Sequence, residues 1–118
     1  MMKRLTVLII VFGIVLNTVY AQNIDKTRYK EISLTDYKAA GLVMERSDTE
    51  LFKLTVKFLL QAANSVAIQD NENNLQRFVS EKTLNFERGQ EIVLYVRATH
   101  SPEGFWETET IDLAEKKD

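Results

Sequence analysis

Two long stretches of the chain alternate apolar and polar residues with a period of two. In Glu50 to Gln61, ELFKLTVKFLLQ, the residues Phe52, Leu54, Val56 and Phe58 alternate with Lys53, Thr55 and Lys57. That period puts the large apolar side chains on one face of a strand and the lysines on the other, whereas a helix would scatter them around its circumference. Glu91 to Thr99, EIVLYVRAT, repeats the pattern, with Ile92, Leu94, Val96 and Ala98 on one face and Val93, Tyr95, Arg97 and Thr99 on the other. Each stretch predicts a strand with one buried and one wet side.

Shorter elements lie around these two. Leu59 and Leu60 break the alternation and predict a bulge. Ser65 to Asp70 resumes as a strand with Val66 and Ile68 inward, Asn71 to Asn74 turns the chain, and Leu75 to Ser80 returns as the partner strand. The facing of that partner is left open, because Leu75 and Val79 share one side and Phe78 takes the other. Glu81 to Arg88 predicts a short helix or a loop that drops Leu84 and Phe86 onto the core. After a turn at Ser101 to Gly104, Phe105 to Leu113 forms a last strand with Ile111 and Leu113 inward and Glu107 and Glu109 outward. Residues 116–118 are a polar tail.

The N-terminal third reads differently. Lys3 and Arg4 precede a continuous apolar run, Leu5 to Leu16, and Val19 and Ala21 suit the −3 and −1 positions of a cut. This is the layout of a secretory signal peptide over residues 1–21. A membrane-spanning helix needs about 20 apolar residues, more than the run offers. Residues 22–41 form a lead-in. Gln22 to Lys30 is polar and flexible, and Ile32 to Gly41 predicts a short helix or helix-like turn capped by Thr35 and ended by a left-handed Gly41, with Leu34 and Tyr37 toward the sheet. Leu42, Val43 and Met44 start a strand that Glu45 to Thr49 interrupts as a turn.

Composition narrows the classes. The chain has 118 residues and no cysteine, so an exported domain must hold by packing rather than by disulfides, and no lipid-bearing cysteine is available. Removal of Lys3 and Arg4 with the signal leaves 13 basic against 17 acidic residues, a net charge of −4. That balance argues against nucleic acid and anionic membranes as general partners.

The strand order over residues 42–115 resembles the oligonucleotide/oligosaccharide-binding (OB) fold. The resemblance rests on the bent strand Leu51 to Leu60, the hairpin VAIQDNENNLQRFV, the approach Leu84-x-Phe86-x-x-Gly89-x-x-Ile92, and the pair IVLYVRAT and ETETIDLAEK. It is closest in kind to the small exported bacterial OB-fold proteins, in which one barrel follows a signal peptide. This implies a mainly β fold, a small five-stranded barrel with one short helix, in the periplasm or secreted. It also implies a binding module for a small ligand, a peptide, a glycan or an envelope protein. The alternative from another class is an accessory subunit that pairs with a partner protein through a strand edge.

Candidate chemistry is sparse. His100 is the only histidine and reads as an exposed residue at a turn; nothing resembles a nucleophile elbow, so no catalytic residue and no cofactor are expected. Asp70 to Asn74 offers oxygens, but counting from Asp70 a calcium loop would need glycine where Leu75 stands, so the stretch reads as a hairpin turn without metal. The remaining candidates are cationic and aromatic residues directed away from the core, Lys53, Lys57, Arg77, Tyr95 and Arg97, together with Trp106, which reads as a core lid at a strand start or as a contact residue in the loop beside them. Arginines flanking a tyrosine suit an anion that also stacks.

Overall fold

The computed structural model describes residues 24–42 and 49–117. The signal peptide with its cut after Ala21, the strand start at Val43 and Met44, and the turn through Asp48 lie outside the described residues. A two-residue strand β1 (Lys30–Glu31) and one helix α1 (Leu34–Ala40) precede the strands β2 (Thr49–Gln61), β3 (Ser65–Gln69), β4 (Leu75–Val79), β5 (Glu91–His100) and β6 (Trp106–Lys116). Strands β2 to β6 are bonded in the order β2-β3-β4-β6-β5, and β2 pairs with β5 to close the ring. The fold is mainly β, a closed five-stranded barrel of OB-like architecture with one α-helix among the described residues. Most of its pairs are antiparallel; β4 and β6 run parallel and meet at a single pair, Val79 with Thr110.

Alternation fills the barrel as the sequence predicts. Phe52, Leu54, Val56 and Phe58 of β2 and Ile92, Leu94, Val96 and Ala98 of β5 are all buried. Burial of each large side chain contributes about 1.5–3 kcal/mol. The β2–β3 register slips between Phe58 and Leu60, which is the bulge expected at the double leucine. On β4 the open question resolves toward Phe78, which points in, while Leu75 and Val79 stay outside.

Each end of the barrel is plugged. At one end sits α1, whose Leu34 and Tyr37 are buried. Its cap is Ser33 and not Thr35, because the Asp36 N–H reaches the Ser33 hydroxyl at 3.1 Å. Thr35 lies inside the first turn and bonds Glu72 and Asn74 of the β3–β4 hairpin instead. Gly41 ends the helix in right-handed geometry, φ −70°, so the left-handed cap is also corrected. At the opposite end, residues 81–88 form a loop without helix. The Leu84 N–H bonds the Gln61 side chain at 2.9 Å, and Phe86 meets Phe58 edge-on at 5.9 Å.

Strand β6 departs most from simple alternation. Its pairing with β5 slips between Thr99 and His100 and again between Tyr95 and Val96, leaving Glu107 and Asp112 as extra residues. Each bulge shifts the facing of the residues beyond it. The first sets Glu109 opposite inward Ala98, so Glu109 is half-buried rather than solvated on an outer face. The second sets Leu113 opposite outward Tyr95 and gives the inner position, opposite Leu94, to Ala114. Ile111 is inward as expected and Leu113 is not.

Candidate binding face

The outer row of β2 and β5 carries three of the expected residues together. Lys53 and Tyr95 are direct cross-strand neighbours, and Arg97 is the next outward residue of β5. Tyr95 points away from the barrel interior, yet only 5% of it is exposed. The segment expected to be a flexible lead-in covers it. Asp25 caps a short 3-10 turn, Lys26–Arg28, by accepting from the Thr27 N–H and hydroxyl. Tyr29 then crosses Tyr95 edge-on, with ring centroids 5.4 Å apart and planes at 89°. Next, β1 pairs in parallel with β2, and the Ile32 N–H donates to the Lys53 carbonyl at 3.0 Å.

This strap is tied down by acids of β6. The Tyr29 hydroxyl donates to Asp112 Oδ2 at 2.7 Å, while Arg97 donates to Asp112 Oδ1 through Nε and Nη2 at 3.3 and 3.1 Å. Lys26 Nζ bonds Glu115 at 2.5 Å and stands 5.7 Å from the Tyr95 ring centroid; Lys53 Nζ lies 6.0 Å from the same centroid. Two ammonium groups thus share one aromatic ring, at distances where a cation–π attraction operates. Burial, and then the neighbouring Asp112, push the Tyr29 phenol well up; burial and the charge of Glu115 push Tyr95 up. The carboxylates raise their cationic partners, Asp112 acting on Arg97 and Glu115 on Lys26.

The other expected residues lie elsewhere. Lys57 continues the β2 row two outward positions on, opposite Glu91. Arg77 is exposed on β4, and β6 lies between it and Arg97. Two clefts flank the Val79–Thr110 pair. One, about 510 Å³, is lined by Arg77, Phe78, Glu107 and Glu109; the other, about 280 Å³, by Arg97, Leu84, Asp112 and Leu113. Trp106 lines neither. It packs under α1, stacked on Tyr37 at 5.3 Å, and its Nε1 donates to the Tyr37 carbonyl at 2.9 Å.

His100 is buried rather than exposed at a turn, a correction with a simple cause. It pairs with Trp106 across the β5–β6 ladder, and the indole covers its ring at 4.1 Å. Its Nε2 bonds Glu50 at 2.5 Å, while Ser101 Oγ accepts from the Glu103 N–H, so the two neighbours have different partners. In the hairpin turn, Asp70 accepts from the N–H groups of Glu72 and Asn74 and from the Asn74 side chain, and Asn73 adopts φ 66°. The Asp70 carboxylate closes the turn. Among the described residues, no three acidic or histidine side chains converge as metal ligands would.

Lys26, Tyr29, Asp112 and Glu115 were not singled out by the sequence pattern. Tyr29 is a large aromatic in an otherwise polar run, a usable signal. Asp112 and Glu115 carried none, since a bulge sets where they point.

The class of protein that this fold and face define is a small closed β barrel with a strapped aromatic and charged outer surface. The chain matches no family model and no curated protein.

Proposed function

We propose that the chain is an exported single-domain binding module of the bacterial cell envelope, in the manner of the small exported OB-fold proteins it resembles. The signal-like N-terminus supports export. One observation carries the binding reading: Lys53 and Arg97 stand beside Tyr95 on the outside of a closed barrel whose interior is filled, with the N-terminal strap laid over the tyrosine ring. The reading takes a small ligand, a peptide, a glycan or an envelope protein on that face. Arg77 belongs to a separate cleft, and Trp106 serves the core. The excess of acids disfavours single-stranded nucleic acid.

Native mass spectrometry of the chain recovered from its own envelope is the test. It should show an N-terminus at Gln22 and a bound species that Arg97→Glu loses and Arg77→Glu keeps. A species retained by Arg97→Glu rejects this face.

One observation favours the second reading, an accessory subunit. Strand β6 runs on to Lys116, but β4 pairs with it only at Thr110. The edge from Ile111 onward therefore has no strand partner among the described residues. A stoichiometric partner protein lost when Ala114→Pro blocks that edge would select this reading.

A further inference from the structure

We infer that the outer face of β5 and β6 is a docking site for a peptide that carries a lysine and a tyrosine three residues apart with a single turn between them, and that the chain's own strap, Asp25 to Glu31, is seated there as an internal occupant. The inference rests on the reading of this face as the recognition surface and names the chemistry that the face takes.

Spacing is the first support. Lys26 and Tyr29 of the strap are three apart, and their partners Glu115 and Asp112 are three apart on β6. Between them lies Tyr95, which receives the ammonium over its ring and the second tyrosine at its edge. The face thus offers a carboxylate and an aromatic ring to an ammonium group, and a second carboxylate to a phenol. Arg97 holds that second carboxylate from the other side.

The manner of attachment is the second support. The 3-10 turn has no buried residue, and both residues of β1 are exposed. None of the strap is in the buried core. It is held by side chains that meet acceptors already in place on the barrel, plus two residues of backbone pairing. An incoming segment with the same groups can make the same contacts. The tether gives the internal segment a high effective concentration, so an outside peptide binds well only when the internal contacts are weakened.

The test uses the full mature chain and a synthetic peptide of residues 25–31, DKTRYKE, with blocked ends. A Lys26→Ala, Tyr29→Ala double variant should bind the peptide at least tenfold more tightly than the unaltered chain. Glu115→Lys added to that variant should abolish binding, as should a peptide with glutamate in place of its first lysine. A folded double variant that ignores the peptide, or binding indifferent to Glu115→Lys, overturns the inference. The Arg97→Glu test reads the face through a different ligand, so silence of the peptide alone leaves that reading standing. Hydrogen exchange on the unaltered chain covers a double variant that fails to fold. The Tyr29 and Ile32 amides should exchange at least a hundredfold faster than the slowest amides of β5; equal protection would make the strap part of the cooperative core and overturn the inference.

Discussion

Gly41 lies against the indole of Trp106. A Cβ built on Gly41 would stand 2.8 Å from Trp106 Cγ, and closer still to Cδ1 and Nε1. The indole has no room to yield, because it stacks on Tyr37 and its N–H is bonded to the Tyr37 carbonyl. The helix cap is a glycine for space and not for backbone conformation.

Gly41→Ala should therefore destabilise the barrel by about 1–3 kcal/mol, the usual cost of overpacking. Urea unfolding measures it. Trp106→Phe in the same chain should recover part of the loss by opening room, and a loss independent of residue 106 would refute the contact.

Gly89 is the opposite case. Its φ is +87°, and nothing lies within 4 Å of a Cβ placed there. Gly89→Ala should cost about 1–2 kcal/mol through left-handed backbone strain alone. Gly89→Asn should cost less, since asparagine tolerates that region; equal costs in urea unfolding would contradict the assignment.

The Tyr37 hydroxyl donates to Glu109 at 2.7 Å, and Gln76 Nε2 donates to the same oxygen at 2.9 Å. Tyr37→Phe leaves a half-buried carboxylate short of a donor and should cost about 1–3 kcal/mol. A double-mutant cycle with Glu109→Ala, which removes the acceptor, should show coupling between the two sites, and additive losses would deny the bond.

Burial raises the Glu109 carboxyl above its ordinary 4.5, outweighing the two hydrogen bonds that lower it. The folded chain then holds this proton to a higher pH than the unfolded chain does. From about 4.5 up to the raised value, folding takes up a proton, so this group's contribution to stability falls as pH rises. Glu109→Gln keeps an acceptor for both donors and removes the titration. Its stability relative to the parent should rise between pH 4 and pH 7, and a flat difference in urea unfolding would rule the effect out.

Tyr29, Tyr37 and Tyr95 are all pushed above the ordinary phenol value of 10.0, chiefly by burial. Apart from Tyr20 in the signal-like segment, they are the only tyrosines of the chain. In the chain from Gln22 onward, little phenolate absorbance should appear at pH 10 while it is folded, and ionisation should coincide with alkaline unfolding. Tyr29→Ala uncovers Tyr95 and should let it ionise earlier, whereas an unchanged alkaline titration would contradict the cover.

Binary pattern along the chain was enough to define β2 and β5 and their inward rows, because a strand held in one register repeats its facing every second residue. The bulge at Leu59 and Leu60 was legible for the same reason, as a break in that repeat. A sheet closing on itself followed from strand lengths and tight turns, while its five strands and one short helix followed from the resemblance to the OB fold. Facing on β6 did not follow: two bulges, at Glu107 and Asp112, are set by how that strand meets β5, and they turn Glu109 in and Leu113 out. Position is likewise a three-dimensional matter for the polar residues. Sequence grouped Arg77, Arg97 and Trp106 by type, while the barrel sets β6 between the arginines and folds the tryptophan under α1. Tyr29 alone hinted at the strap; its seat did not follow from sequence, because its groups find their partners 83 and 89 residues away, at Asp112 and Glu115. Local pattern fixes which face of a strand is apolar, but only closure of the ring decides what comes to lie on the other face.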